Sequence, residues 1–374
     1  MSVVGEKIKF NIVCRKLLTG LKKVSGVIEN AQVMQILSCV KIKMHGSVVL
    51  LTASDSDIEM SAEIHDNEFD FADPINLAVP GKKLFDICRS LTQDQTLSFE
   101  LDEQWLTIRA GKSKFKLMTM PVDQFPLILF SDTEAKVALP QKDVLTALQQ
   151  TSFAMAVHDV RQFLNGMLLD FKDGQLKLVA TDGHRLSMAE LECDAAISLK
   201  KIVPRKAILE LIKLLDNGDA SLLIELAQNK IRFTSDEGQL VTGLIQGDYP
   251  DYTRLLPGAQ SHSISLSVQD LKAALVRASI LSHDRFKAAS FHFSADNLVI
   301  ESENAQHENI KEEVQISSSV DALSISFNIV YVMDVLSNID SEALVFEASA
   351  GHKAVTLKPA SGDAVTHIVM PLTL

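Results

Sequence analysis

Short runs of alternating apolar and polar residues dominate the chain, and stretches with helical spacing interrupt them at regular distances. Lys9–Leu18 with Leu21 beyond it, Val137–Leu145 with Leu148, and Ile264–Leu271 with Leu275 each read as a strand running into an amphipathic helix. The apolar helix positions Leu17, Val144 and Leu271 are 127 residues apart each time, as are Leu21, Leu148 and Leu275. A second helix recurs at Val79–Cys88, Val203–Ile212 and Phe327–Leu336 with a spacing of 124. There Leu84, Ile208 and Val332 correspond, as do Ile87, Leu211 and Val335, and then Cys88, Ile212 and Leu336. Two helical registers kept over three copies mark an internal repeat of long period.

Pro80 and Pro204 stand where the second helix begins, a place that tolerates a missing N–H. Between the helices each copy predicts strands around a tight turn. These are Ser38–Met44 and Val48–Thr52 about His45-Gly46, Gly166–Phe171 and Leu176–Thr181 about Asp173-Gly174, and Ser290–Phe293 and Leu298–Ser302 near Asp296-Asn297. Further strands follow, such as Thr107–Met118 and Lys230–Thr234. Each repeat therefore predicts β-α-β-β-β-α-β-β-β, an α+β sandwich with helices on one face. Extended aromatic-Pro segments at Gln124–Phe130 and Gly247–Tyr252 place domain boundaries at 1–133, 134–261 and 262–374.

The 374 residues suit two or three domains with substantial cores. No apolar run approaches a membrane span; the longest, near Val48–Leu51 and Pro126–Phe130, are strand-sized. Met1–Lys9 carries no cationic segment followed by an apolar core, so no secretory signal is expected. Cys14, Cys39, Cys88 and Cys193 lie scattered in apolar surroundings without a CxxC pair, as reduced core residues of a cytoplasmic protein would. No Cys/His cluster has zinc spacing, so neither a metal nor a cofactor is expected. One Trp and three Tyr argue against an aromatic platform for single strands.

The net charge of −12 argues at first against a nucleic-acid partner. Its distribution alters that reading. Arg15, Lys16, Lys22 and Lys23 lie on the first helix without an acid between them. Lys82, Lys83 and Arg89 face only Asp86, and Arg205, Lys206 and Lys213 face Glu210. In the third repeat Lys272, Arg277, Arg285 and Lys287 stand against Asp270 and Asp284. Acids gather elsewhere, in Glu59, Glu63, Asp66, Glu68 and Asp70, and in Glu301, Glu303, Glu308, Glu312 and Glu313. A basic stripe recurring in each repeat suits a polyanion held without sequence readout. For any one helix taken alone, a solvated helix face is the better reading.

Catalytic signatures are missing: there is no GxxxxGK[ST], GxGxxG, GxSxG or HExxH. Ser198-Leu-Lys-Lys201 matches SxxK without its companion motifs. His158-Asp159 and His283-Asp284 follow the first helix of repeats two and three, which suits a repeat-related loop better than a metal site. Thr181–Leu186 concentrates polar groups, and composition alone does not separate a turn from a catalytic cluster there.

Several segments resemble the bacterial β sliding clamps, the β subunits of DNA polymerase III. They are Val179-Ala-Thr-Asp-Gly-His-Arg-Leu186, Phe163-Leu-Asn-Gly-Met-Leu168, Ile202-Val-Pro-Arg-Lys206, Tyr249-Pro-Asp-Tyr-Thr-Arg-Leu-Leu-Pro257, Tyr331-Val-Met-Asp-Val-Leu336 and Val369-Met-Pro-Leu-Thr-Leu374. The resemblance spans all three repeats and is strongest from about residue 150 onward. It implies three similar α+β domains per chain (the DNA clamp fold) and a head-to-tail homodimer. The resulting six-domain ring has helices lining its hole and sheets outside. It implies a non-catalytic processivity factor that encircles duplex DNA without sequence preference. The partners implied are the polymerase α subunit, the clamp-loader δ subunit, and other polymerases and repair proteins that carry Gln-Leu-x-Leu-Phe-type motifs.

The resemblance places the partner cleft between domains two and three, at Leu164, Thr181, Gly183, His184, Arg185, Leu186, Pro250, Arg254, Leu255, Tyr331, Ile368, Val369, Met370, Pro371 and Leu372. Leu, Ile, Met and Pro would build an apolar groove, with His184, Arg185 and Arg254 as a polar rim. The dimer contact would join Lys112, Lys114, Phe115 and Leu117 of one copy to Ile280, Leu281, Glu303, Glu308, Glu312 and Glu313 of the other. DNA-facing candidates are Lys16, Lys22, Lys23, Lys82, Lys83, His158, Gln162, Arg205, Lys206, Lys272 and Arg277. The family commonly carries an Arg in the loop after the first helix; here Val24–Ala31 holds Glu29 and no base, which leaves that DNA contact unsupported. Two readings compete with the ring: an enzyme using His184, Asp182 or Cys88, and a scaffold of repeated domains without DNA.

Overall fold

The computed structural model describes residues 8–28, 34–66, 69, 71–194, 197–256, 261–318, 322–349, 354–362 and 365–372. The first seven residues, Glu29, Glu68, Asp70, Pro257, Thr373 and Leu374 lie outside these.

The first repeat runs β1 (Ile8–Val13), α1 (Cys14–Val24), β2 (Cys39–Gly46), β3 (Val48–Ser54), β4 (Ile58–His65), β5 (Phe71–Pro80), α2 (Gly81–Ser90), β6 (Thr96–Asp102), β7 (Trp105–Ala110) and β8 (Ser113–Met118). The second runs β9 (Ala135–Pro140), α3 (Gln141–Thr151), β10 (Gly166–Lys172), β11 (Gln175–Thr181), β12 (Arg185–Glu192), β13 (Leu199–Pro204), α4 (Arg205–Leu214), β14 (Ser221–Leu226), β15 (Lys230–Ser235) and β16 (Gly238–Gly243). The third runs β17 (Ser261–Ser267), α5 (Val268–Ile280), β18 (Ala288–Phe293), β19 (Asn297–Glu303), β20 (Asn309–Gln315), the two-residue β21 (Ser317–Ser318), β22 (Leu323–Asn328), α6 (Ile329–Ser337), β23 (Ala343–Ser349), β24 (Val355–Pro359) and β25 (Val365–Val369).

The order of elements is the expected one with a correction. Each repeat carries an additional strand between its helices, namely β5, β13 or β22, antiparallel to β2, β10 or β18. Its apolar residues run directly into those of the following helix, so the two periods merge in the sequence. The segment Pro126–Phe130 belongs to no strand. The helical registers hold: Leu17, Val144, Leu271, Leu21, Leu148 and Leu275 are all buried, as are Leu84, Ile208 and Val332. Asp173 and Gly174 both adopt positive φ, +52° and +75°, which closes the β10–β11 hairpin.

The chain forms two compact units, which cut the second repeat through α3 and α4: Met1–Lys142 with Leu209–Leu244, and Asp143–Ile208 with Ile245–Leu374. The first unit holds a four-stranded sheet, β1-β6-β7-β8, and an eight-stranded one, β5-β2-β3-β4-β16-β15-β14-β9. Helix α1 buries Cys14, Leu17, Leu18, Leu21 and Val24. All four cysteines are buried and unpaired. Burial pushes the Cys88 thiol up to about 12, which removes it as a nucleophile candidate near neutral pH. The second unit holds a nine-stranded sheet, β13-β10-β11-β12-β25-β24-β23-β17-β21, and a four-stranded one, β20-β19-β18-β22. Its core includes Leu271, Leu275, Phe291, Phe327, Val332 and Phe346.

Each large sheet joins strands of two successive repeats along an edge, four and four in the first unit, four and five in the second, where β21 is added. In the first unit β4 pairs with β16, with Met60 opposite Leu240. In the second β12 pairs with β25, with Ser187 opposite His367. All four residues are fully buried. At the first of these seams Gly238 has φ +149°, and a Cβ there would sit 2.1 Å from the Ser61 carbonyl oxygen. Gly238→Ala is expected to destabilise the first unit by about 2–3 kcal/mol, read as a lowered thermal midpoint. An unchanged midpoint would show that this seam tolerates displacement.

Candidate functional site

The turn between β11 and β12 is built from its own side chains. Asp182 Oδ1 accepts from the His184 and Arg185 amides at 2.9 and 3.1 Å. Thr181 Oγ1 accepts from the Gly183 amide at 3.0 Å and donates to the Arg185 carbonyl. Gly183 sits at φ +89°, where a side chain would be strained and would meet Arg161 at 3.1 Å. The Thr181 and Asp182 side chains, part of the run that reads as either turn or catalytic cluster, are thus engaged in shaping this turn.

Beside it lies a pocket of about 180 Å³ within the second unit. Leu164, Leu186 and Ile368 form its buried apolar lining, and Thr181, Gly183, Arg185, Pro250, Leu255 and Met370 complete the predicted part. Arg161, Tyr249, Asp251 and Tyr252 also line it. Two tyrosines pin the segment carrying Pro250 and Leu255. Tyr249 donates to the Val179 carbonyl at 3.3 Å, and Tyr252 donates to Asp170 Oδ2 at 2.9 Å. Burial raises both phenols above their ordinary range, so each stays a donor. Two backbone bonds fix the chain end: Met370 donates to the His184 carbonyl at 2.9 Å, and Leu372 to the Ser326 carbonyl at 2.7 Å. Pro371 between them is half-buried.

Six predicted cleft residues, His184, Arg254, Tyr331, Val369, Pro371 and Leu372, do not line this pocket. Val369 is fully buried in the core on the opposite face of β25, because neighbours along a strand point to opposite faces. Arg254 is largely exposed and pairs with Asp251 at 2.9 Å. Arg185 is only 11% exposed and tied down on several sides, with Tyr331 beneath its guanidinium at 4.8 Å. His184 stacks on Tyr331 with ring centres 5.9 Å apart. Arg161 is a second cation at the pocket wall, half exposed and held by Asp159 at 2.9–3.0 Å. That pair pulls the Asp159 carboxyl down to about 2. The signal for Arg161 was present in the sequence, three residues after His158 in the repeat-related loop.

The DNA-facing candidates divide into two groups. Lys16 pairs with Asp66, Lys23 with Glu237 and Arg277 with Glu312. Burial lowers the Lys23 ammonium below the usual lysine value. Arg205 donates to the Met155 carbonyl at 3.2 Å from a partly buried position. The expected stripe is corrected accordingly: carboxylates from distant strands and loops neutralise part of it. Lys22, Lys82, Lys83, Lys206, His158 and Gln162 are exposed, and Lys272 is half-buried. His158 adopts φ +57°.

Of the dimer candidates, Lys112, Lys114, Glu308 and Glu313 are exposed, Phe115 and Leu281 are half-buried, and Ile280 is 74% exposed. Leu117 is buried within its own unit. Glu312 is only 16% exposed and engaged by Arg277, which removes it from the expected set of free interface acids. Glu303 pairs with His307. Strands β8 and β20 are outer strands of their sheets, and β8 carries Phe115.

Comparison with known proteins matches three family models, the N-terminal, central and C-terminal domains of the DNA polymerase III β subunit, at residues 8–129, 138–251 and 253–373. The β sliding clamp of Pseudomonas aeruginosa is 36% identical over 367 residues, covering 98% of this chain and all of that protein. That of Escherichia coli is 32% identical over 372 residues, again over 98% of this chain and all of the relative. A crystal structure of the P. aeruginosa DnaN sliding clamp bound to griselimycin superposes with a TM-score of 0.94, covering 99% of this chain and 100% of that one. The C. crescentus β sliding clamp, 26% identical, gives 0.90 over 98% and 99%.

Proposed function

Since this chain belongs to the DNA polymerase III β-subunit family, the bacterial sliding clamps, we propose that two copies close head to tail into a ring around duplex DNA. The chain is a non-catalytic processivity factor of DNA replication with the three-domain clamp fold. The domains are assigned to the repeats at 1–133, 134–261 and 262–374, and the protein to the cytoplasm. No helix among the described residues is long and apolar enough to cross a membrane.

One observation carries the ring. Wherever two successive repeats meet, the third strand between the helices of one pairs with the last strand of the next: β4 with β16, and β12 with β25. The strands in those two positions left over are β20 and β8, both outer strands. Exposed edges are an invitation to pair, and joining the tail of one copy to the head of another uses both. Register follows from the hairpins. Met60 stands opposite Ala53, Ser187 opposite Ala180 and Ile310 opposite Ser302; Leu240 stands opposite Phe233, His367 opposite Leu357 and Phe115 opposite Ile108. The seam of the dimer therefore sets Phe115 against Ile310, and Lys112 falls opposite Glu313. A pocket of about 610 Å³ lined by His283, Phe286 and Ile310 lies ready to take the aromatic ring.

Oxidising a chain that carries both Phe115→Cys and Ile310→Cys is expected to yield a covalent dimer, since directly opposite residues fall within disulfide reach. The native cysteines are buried and do not compete. Chains that stay uncrosslinked would contradict this register, and chains that link into open polymers would contradict closure.

A closed ring needs only weak phosphate contacts, because leaving requires an opened seam or a DNA end. Lys22, Lys82 and Lys83 are exposed bases that such a ring would offer to the duplex. Such contacts carry no sequence information and weaken with salt. The pocket beside Thr181–Leu186 takes a short peptide anchored by apolar side chains. Its occupants are assigned as Gln-Leu-x-Leu-Phe-type motifs of the polymerase α subunit, the clamp-loader δ subunit, and other polymerases and repair proteins.

A further inference from the structure

Arg185 lines the pocket, yet its guanidinium is already engaged by protein groups. Nε donates to Asp182 Oδ2 at 3.0 Å, Nη1 to Asp334 Oδ2, and Nη2 to the Phe153 carbonyl at 3.0 Å. Its plane lies over the rings of Tyr331 and Phe153, at 4.8 and 5.4 Å. These partners come from different elements. Asp182 belongs to the β11–β12 turn, Phe153 to the short turn after α3, and Asp334 to α6. A rigid planar fork with three hydrogen-bond partners and two rings close by holds geometry in a way a flexible ammonium does not.

Asp334 does not line the pocket. Its carboxylate joins the pocket wall through an ion pair with Arg185. The wall it steadies carries Thr181, Gly183 and Leu186 on one side, and on the other it accepts the Met370 amide through the His184 carbonyl.

We propose that Arg185 is a positioning residue rather than a peptide contact, and that the Asp182–Arg185–Asp334 strut presets the width of the pocket. This rests on the pocket being the peptide site. With the strut in place the pocket meets the peptide already shaped. Without it, binding must also order the turn, and affinity falls through the cost of that ordering.

The test is a double-mutant cycle on the full-length dimer with a fluorescent Gln-Leu-x-Leu-Phe peptide. Asp334→Asn preserves shape at a site 40% exposed in its side chain, so folding is retained. Asp334→Asn and Arg185→Gln are each expected to weaken the peptide about tenfold, and the double variant no more than either single one, because both break the same strut. The thermal midpoint, which a merely structural role would move, is expected to stay within about 2 °C of the parent. Arg185→Lys is expected to rescue little, since it lacks the fork. If Asp334→Asn binds as the parent does while Arg185→Gln is weak, Arg185 touches the peptide directly and the strut is wrong. Additive losses overturn it too. Deleting Met370–Leu374 is the control for the site itself: undiminished binding there would refute the peptide pocket, not the strut.

Discussion

Phe115→Asp is expected to turn the dimer into a monomer at micromolar concentration. The seam register sets Phe115 against Ile310, in the position that Leu240 and Met60, or His367 and Ser187, occupy at the two seams within the chain. Those four residues are fully buried. A carboxylate placed there is desolvated without a partner, which costs several kcal/mol. A loss of about 4 kcal/mol weakens association roughly a thousandfold. The change also sets an acid near Glu308 and Glu313, so repulsion adds to desolvation. Ile310→Asp is expected to act the same way from the other side. Sedimentation over a concentration series reads the result. Both variants should keep the thermal stability of the parent's units, because Phe115 is half-buried at the outer strand of its sheet. A Phe115→Asp protein that remains a tight dimer would place the seam elsewhere.

The second large effect is a dependence on pH. His367 lies on β25 at the β12–β25 seam, with Nδ1 2.9 Å from Ser187 Oγ and its ring 5.7 Å from that of Phe153. Its Nε2 is buried without a partner among the described residues. Burial pushes its pKa down from 6.5 to about 4. The folded state therefore keeps the imidazole neutral, while the unfolded chain protonates it below pH 6.5. Between pH 6.5 and 4 the unfolded state binds more protons, so stability rises with pH there and is lost as pH falls. The full loss from this group is on the order of 3 kcal/mol by pH 4. Above pH 6.5 it contributes no slope. His367→Gln removes the titration. Carboxylates that lose their partners in acid, such as Asp159 and Glu312, lower both proteins alike. The difference between parent and variant in urea unfolding should therefore change by about 3 kcal/mol across this window. Parallel stability curves from pH 7 to 4 would show that the seam admits the charged ring.

Much of the fold was legible because the apolar helix positions obey a local rule. Leu17, Val144 and Leu271 face the core since a helix must bury one stripe, and that stripe recurs at a fixed spacing. The strand ahead of each second helix was hidden, because Val79-Pro80 and Val203-Pro204, which read as helix entries, end the strands, and the helices start one residue later at Gly81 and Arg205. The site followed the motifs where backbone direction did not matter, as with Leu164, Leu186 and Ile368. It failed one residue later, at Val369, where strand alternation turns the side chain to the other face. The charge pattern was the least legible part. Lys16 and Lys23 lie in a run without acids, yet Asp66 and Glu237 reach them from distant segments, and only the tertiary fold brings those together. Likewise Arg185 reads from the sequence as a rim cation, although Asp334, 149 residues away, has claimed it.

The net charge of −12 thus says little about DNA. Part of the basic stripe is neutralised within the chain, and the proposed ring would hold DNA by enclosure rather than by strong phosphate contacts. Retention on DNA tests enclosure most directly. After loading onto nicked circular duplex, the protein is expected to stay bound through gel filtration in high salt and to be released when a restriction enzyme linearises the circle. Equal loss from circles and linear DNA would contradict the ring.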